Sequence, residues 1–593
     1  MIDRTTRLRW RRLFRRQYRQ MESMSVQAEE NLERHFFKRL GHLTRVRRFV
    51  ISWVLLLVLL VSGAVAQLRG LGQYYQVVAP APGGTFTEGT VGMFTNANPL
   101  YATGAADSAV SRLVFSGLMR YDQKNRLVGD LAEKIDVDER GVAYTVTLRR
   151  KLRWQDGKPL TTADVLYTYQ TIQNPDARSP LFSSWQGVKL EVRDERTIVF
   201  TLPGALGAFT HSLTNGIVPK HVLENTPPSQ LRTARFNTVS PVGSGPFKWK
   251  TIEVTGTSQE EREERVGLVP NEYFYRDPAK LQQVVIRTFR DEKHMIKAYE
   301  QGELNSMVGL SSVPDNLRSS AEIREYNIPL TGAVMVFFKT TQEPLSNIKV
   351  RQGLVRAVDV PGIVNGFGYP VIVTHGPLLT SQVGYDKQLI QLPFEQTAAN
   401  ILLDESGYRR GSSGMREKDG KPLTFRLYAQ NSSEYATVTA GLQKAWQAVG
   451  VATEVVLQSD SDMQGVVSRH DYDAVLYGIS LGTDPDVFPY WHSSQADPRS
   501  VNRLNLSEYR STAVDKALEA GRTRSDAAVR AFKYRPFLET WRVDAPALSM
   551  YQPRFLYVTR GEVFNFEPRT LNSITDRFSN VENWMIRKEK ATK

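Results

Sequence analysis

Between Phe49 and Ala66 the chain runs for eighteen residues without a charge, FVISWVLLLVLLVSGAVA, and Arg45, Arg47 and Arg48 stand just before it. An apolar run of roughly 18 residues or more is long enough to cross the hydrocarbon core as a helix. A helix satisfies its backbone hydrogen bonds internally, so it can exist in lipid. Basic flanks favour the cytoplasmic side. The stretch therefore predicts a single-pass protein of the cell membrane, N-terminus in the cytoplasm and everything beyond it outside. The competing reading is a cleavable signal, because Ala64-Val65-Ala66 fits a small-residue cleavage site. That leader would be about twice the usual length, which favours an uncleaved anchor.

The net charge of +14 is unevenly spread. Residues 1–48 carry fourteen Lys/Arg against five Asp/Glu, a net +9, and the remainder carries 62 against 57, a net +5. The basic character belongs largely to a cytoplasmic tail, so nucleic-acid binding is not expected of the main domain. In RLRWRRLFRRQYR the arginines alternate with Trp10, Leu13, Phe14 and Tyr18. That pattern suits either an amphipathic segment on anionic lipid or a plain topology signal. The chain has no cysteine, which excludes disulfides, thiolate metal sites, cysteine nucleophiles and lipid attachment through cysteine. A large extracytoplasmic domain without disulfides points to a bacterial protein.

More than five hundred residues follow the apolar stretch, too many for one ordinary core, so two lobes are expected. Residues 67–83 read as a linker rich in turn formers. Beyond it strands and helices alternate. AYTVTLRR and RTIVFTL have strand patterning. TTADVLYTYQTIQ opens on a threonine suited to an N-cap, with Asp164 in the first turn. DEKHMIKAYEQGEL, VTAGLQKAWQAVG and AAVRAFKYRPFLETWRV have helical spacing, and AVMVFFKT, LTFRLYAQ and YDAVLYG read as strands. The interleaving predicts an α/β fold.

Catalytic patterns are nearly absent. No phosphate-binding loop, dinucleotide fingerprint or HExxH helix occurs, and the eight histidines have no metal-ligand spacing. No cofactor and no metal are expected. Gly478-Ile479-Ser480-Leu481-Gly482 matches GxSxG after a strand, but a nucleophile elbow needs a helix next, and TDPDVFP reads as a turn. A serine hydrolase built on Ser480 is a remote alternative. Tyr477, Phe488, Trp491 and His492 flank that turn and suit either a binding loop or an ordinary core.

Taken in order, GGTFTEGTVGMFTNANPLYATGAAD, LVFSGLMRYDQKNRLVGDLAE, VTLRRKLRWQDGKPLTTADVLYTY, PVGSGPFKWK, VFFKTTQEPLSNIKVRQGLVRAVD, YDAVLYGISLGTDPDVFPYWHSSQ and ALSMYQPRFLYV resemble the family 5 extracellular solute-binding proteins, the peptide/nickel class of ABC importer receptors. The resemblance covers roughly residues 83–570. It implies a two-lobed, periplasmic-binding-protein-like clamshell, with lobe I at 84–332 plus 536–593 and lobe II at 333–535. It implies no enzyme but a receptor that captures a peptide or other small solute in the cleft and delivers it to a permease and its ATPase. A membrane-tethered sensor or adhesion protein on the same fold is the alternative. Candidate cleft residues are Phe94, Asn96 and Asn98 after the first strand, Ser244 and Phe247 in VGSGPF, Tyr477, Asp486, Trp491 and His492 around the DPD turn, and Asn502. Peptide-binding members similar to this chain place an aspartate before that turn to pair with the ligand's amino group. Leu481 stands there instead, which leaves Asp484 or Asp486 to substitute.

Overall fold

The computed structural model describes residues 47–74, 76–256, 262–484, 486–500, 503–524 and 526–592. Most of the basic tail and the candidate Asn502 lie outside the described residues. The chain divides into two compact units. The first holds the apolar helix, Arg47–Tyr74, and most of a two-stranded pairing of Gln76–Ala81 with Arg587–Thr592. The window Phe49–Gly70 is long and apolar enough to cross a membrane, and none of it is buried. The expected linker at 67–83 is corrected: Gln67–Tyr74 continue the helix and Gln76–Ala81 form a strand. Gln67, Leu68, Arg69 and Leu71 favour the helix, which runs on through Gly70 and Gly72 before the strand begins.

The second unit, Pro80–Arg587, is built on two large sheets. In lobe I seven strands lie in the order Ile323–Pro329, Arg554–Arg560, Ser306–Val308, Thr85–Val91, Gln283–Phe289, Glu263–Pro270 and Phe247–Thr255. A four-stranded antiparallel sheet accompanies it, Ala132–Val137, Ala143–Leu148, Thr197–Thr201 and Lys189–Val192. The main core of this lobe draws side chains from Phe86 to Ile286 and again from Val563 to Trp584, so the C-terminal return is part of it.

Lobe II is a five-stranded sheet, Ala452–Gln458, Thr424–Gln430, Ala474–Ser480, Gly332–Phe338 and Ala547–Tyr551. Gly332–Phe338 is buried at every position. Successive side chains of a strand point to opposite faces. Accordingly Val334, Val336 and Phe338 enter one core, while Ala333, Met335 and Phe337 enter the other. Helices cover both faces, which is why AVMVFF reads as a continuous apolar run and not as an alternation.

The chain passes between the lobes twice, at Leu330–Gly332 and at Gln552-Pro553. The passages are hydrogen-bonded: Leu330 N donates to Pro553 O at 2.8 Å, and Gln552 Nε2 donates to Leu330 O at 3.1 Å. The expected return to lobe I at residue 536 is corrected. That position falls inside the helix Ala527–Asp544, which tolerates Pro536. Tyr534, Phe537, Leu538 and Trp541 of this helix pack into a lobe II core, and the strand Ala547–Tyr551 still belongs to the lobe II sheet. Burial of those four large side chains outweighs the hydrogen bond lost at the proline.

Candidate functional site

The lobes meet at the loop that follows Ala474–Ser480. Leu481 N and Gly482 N both donate to Thr331 O, at 2.9 and 3.0 Å, so the loop starts from the first passage between lobes. Gly482 has φ +65°, which a glycine adopts without strain. Asp484 then accepts both terminal nitrogens of Arg530 at 2.6 Å each. Asp486 accepts from Arg522 Nη2 at 2.9 Å, and the Arg522 guanidinium lies 4.0 Å over the Phe488 ring. Burial pushes the Asp486 carboxyl up against the pull of Arg522. Burial alone would lower Arg530, but the hydrogen bonds from its guanidinium to Asp484 hold it above the ordinary arginine value.

Lobe I answers with the segment Gly207–Thr214. Gly207 N donates to Arg522 O at 2.9 Å, and a Cβ on Gly207 would stand 2.8 Å from Arg524 O. His211 Nδ1 lies 2.6 Å from Tyr121 Oη and 3.5 Å from Thr483 Oγ1. Its Nε2 is 3.9 Å from Asp484 Oδ2. Burial lowers the His211 pKa, Asp484 opposes that shift and Arg530 adds to it. Burial also pushes the Tyr121 hydroxyl up to about 12.

Beside this contact lobe I holds a groove of about 420 Å³. Its walls include Arg112, Arg120, Tyr121, Ser184, Asn572 and Asp576. A smaller hollow of about 130 Å³ shares Arg112 and Thr214 with it. Asn572 ties the groove to the interlobe passage, accepting from Thr331 Oγ1 at 2.7 Å and donating to Asn125 Oδ1 at 2.8 Å.

The candidates read from the sequence fare unevenly. Phe94 and Phe247 are core residues, 4% and 0% exposed, and Phe94 packs on Trp249 with ring centroids 5.8 Å apart. Asn98 is wholly buried, its amide used by Asn237 Oδ1 at 3.1 Å and Leu100 N at 3.0 Å. Asn96 Oδ1 accepts from Asn98 N at 2.8 Å, and Asn96 N donates to Asp107 Oδ1 at 3.0 Å. Ser244 is buried against Ser116. Trp491 is fully buried, stacked on Phe337 and edge-on to Trp541. The expectation that Phe94, Asn98, Phe247 and Trp491 face a solute is therefore corrected. Their surroundings in the folded chain absorb them, and Asn96, Asn98 and Ser244 serve as the internal scaffold of their loops. Tyr477 stays half-buried beside the second lobe II core. His492 stacks on Phe488 at 4.0 Å and meets Glu519 Oε1 at 3.2 Å. Asp486 sits in the interlobe loop as described, already paired.

Leu481 is 5% exposed and packs into lobe II, so no carboxylate points outward from that position. Of the expected substitutes, Asp484 has both oxygens on Arg530, and Asp486 gives one oxygen to Arg522 while its Oδ1 is buried without a partner. Ser480 ends its strand and leads into the loop, with no helix directly after it, and among the described residues no histidine bonds its Oγ; the next one along the chain, His492, bonds Ser494 and Glu519. The nucleophile-elbow geometry is absent. Tyr121, His211, Arg112, Arg522 and Arg530 went unread. The first four carry no spacing signal, and Arg530 looks like a surface residue of its helix.

The family model described as "Bacterial extracellular solute-binding proteins, family 5 Middle" matches residues 126–500. The oligopeptide-binding protein AppA of Bacillus subtilis is 26% identical over 529 residues, covering 86% of this chain and 93% of that protein. Protein XP55 of Streptomyces lividans is 30% identical over 457 residues, 75% of this chain and 80% of that one. Among solved structures, NikZ from Campylobacter jejuni in complex with Ni(L-His) is 26% identical with a TM-score of 0.71, covering 85% of this chain and 99% of that chain.

Proposed function

This chain belongs to the bacterial extracellular solute-binding proteins of family 5, and from that premise we propose that it is a membrane-anchored receptor of an ABC importer. It captures peptides or peptide-like solutes between its lobes and delivers them to a permease driven by a cytoplasmic ATPase. The helix Arg47–Tyr74 holds it in the membrane with the N-terminus inside, and no chemical step is involved. The observation that carries the reading is the paired passage at Leu330–Gly332 and Gln552-Pro553, beside which Thr483 and Asp484 of one lobe meet His211 of the other. Two adjacent strand-like connections make a hinge, and hinge closure around a solute is how such lobes bind. Peptide capture is further supported by the likeness to an oligopeptide-binding protein.

The test uses the full chain in detergent micelles, its thermal unfolding followed against pools of di- to octapeptides. A solute at 100 times its Kd stabilises the folded state by about 2.7 kcal/mol. A peptide-dependent shift that saturates, with the solute recovered unchanged, is the expected result. Cleavage of the peptide would overturn the receptor reading, and no shift would move the function towards a tethered sensor. Protease added outside intact cells should remove Pro80–Arg587 and spare the N-terminal tail; the reverse would sink the topology.

A further inference from the structure

Resting on the membrane-anchor reading, we propose that the two-stranded ribbon of Gln76–Ala81 and Arg587–Thr592 is a lipid-binding surface, which takes anionic headgroups of the outer leaflet through Lys588 and Lys590. The apolar helix ends at Tyr74, two residues before the first strand begins. Val77 and Val78 therefore follow within about 14 Å of chain from the helix end. The C-terminal strand runs back towards that end. A Cβ on Gly83 would stand 3.0 Å from Arg587 Nη1, and one on Gly84 would stand 3.3 Å from the Arg587 stem. Arg587 thus starts its strand at the far end of Gln76–Ala81, and the residues after it pair back along that strand towards Gln76. With the ribbon laid along the bilayer, both lysines fall within a Debye length, about 8–10 Å, of the headgroups.

The pattern along the ribbon suits that surface. Successive side chains of a strand point to opposite faces, so Lys588 and Lys590 share one face and Arg587 and Glu589 share the other. All four residues are exposed. The one acidic group is thereby kept off the lysine face, and Arg587 is laid along Gly83-Gly84. On the partner strand Val77 and Val78 are 43% and 60% exposed. Being consecutive, one of the two stands on the lysine face. A two-stranded sheet has little stability of its own in water, and among the described residues no third strand extends this one. A bilayer supplies both things the ribbon leaves unanswered. Its acyl boundary takes an exposed valine, and its phosphates take the ammonium groups, with the lysine stems lying along the apolar surface between them. Attraction to anionic lipid then adds to the buried apolar area.

The chain has no cysteine, so Val78→Cys carries a single polarity-sensitive fluorophore on the ribbon. The labelled full chain is placed in nanodiscs of phosphatidylcholine alone or of an equal mixture with phosphatidylglycerol. Emission should move to shorter wavelength in the anionic discs, with the ratio of surface-bound to free ribbon about tenfold or more higher there. Lys588→Glu combined with Lys590→Glu should remove the difference, and so should salt at about 1 M. The double variant should keep its melting temperature in detergent, because both lysines are exposed. If it fails to fold, a chain ending at Arg587 reads the same interaction and should emit alike in both discs. Equal emission of the unreversed chain in the two discs, or a shift that survives charge reversal, overturns the lipid surface and leaves the anchor standing. A chain that does not stay with the discs overturns both.

Discussion

Two arginine–carboxylate systems divide the molecule. In lobe I, Glu88 on the strand Thr85–Val91 meets Arg577 at 2.5 Å, with both side chains essentially unexposed. Glu88 also accepts from Tyr557 Oη at 3.1 Å and Ser306 Oγ at 3.4 Å. Arg577 is further held by Ile574 O at 2.5 Å and by the Phe578 ring at 4.0 Å. The knot ties three neighbouring strands to the C-terminal return. In lobe II, Asp484 and Arg530 form a two-pronged pair of equally good geometry, but Arg530 Nε and Asp486 Oδ1 are buried without partners. His211 of the other lobe stands beside Asp484. The first system is closed and serves the fold. The second is left open at the place where the lobes face each other, so its unsatisfied atoms remain available to whatever changes that contact.

Breaking the closed knot should cost most. Glu88→Gln leaves Arg577 without its countercharge in a dry interior, and such losses run to about 3–5 kcal/mol. Urea unfolding of the full chain in detergent measures it. Asp484→Asn should cost less, about 1–3 kcal/mol, because its pair retains some access to water. It should also change solute affinity, whereas a folded Glu88→Gln protein should bind normally. Equal losses at the two sites, with binding untouched at both, would erase the distinction drawn above.

Much of the scaffold was legible because its signals are local. Thr161 accepts from Ala163 N, and Asp164 reaches back to Thr161 N, so the helix Thr162–Gln173 starts where its cap predicted. RTIVFTL and AYTVTLRR form the paired strands Thr197–Thr201 and Ala143–Leu148. The site was less legible because its signals are not local. Asn98 is spent on Asn237, 139 residues away, and Trp491 is buried by Phe337 and Trp541. From sequence an asparagine in a loop and a tryptophan by a turn look like binding groups. Whether they are depends on partners that only the fold brings near. Arg530 shows the converse, a charge on a helix whose partner Asp484 lies 46 residues back.

The open system can be sharpened from behind. Gly521, on the helix Thr512–Arg522, lets the helix Ala527–Asp544 approach so closely that a Cβ would stand 2.3 Å from the Tyr534 ring. Gly521→Ala must push that ring, and with it the helix bearing Arg530, at a cost of about 1–3 kcal/mol. If the push loosens Arg530 from Asp484, combining it with Asp484→Asn should cost less than the sum of the two. Strict additivity would mean that the loop is not positioned by this helix pair.

The smallest effect concerns pH. The folded pKa of His211 lies below its ordinary 6.5, chiefly through burial, with Arg530 lowering it and Asp484 opposing. Tyr121 and Thr483 face the same ring. Below 6.5 the unfolded chain binds a proton that the folded chain resists. The contribution is therefore fully present above that value and is lost as pH falls through the lower folded value. Stability of the full chain should drop between about pH 7 and pH 5, and His211→Gln should remove that part of the drop. A wild-type protein that instead gains stability from His211 on acidification would mean that Asp484 outweighs burial and Arg530 together. The interlobe contact would then be a closed ion pair like Glu88–Arg577, and the contrast between the two systems would fail at the point where they were held to differ.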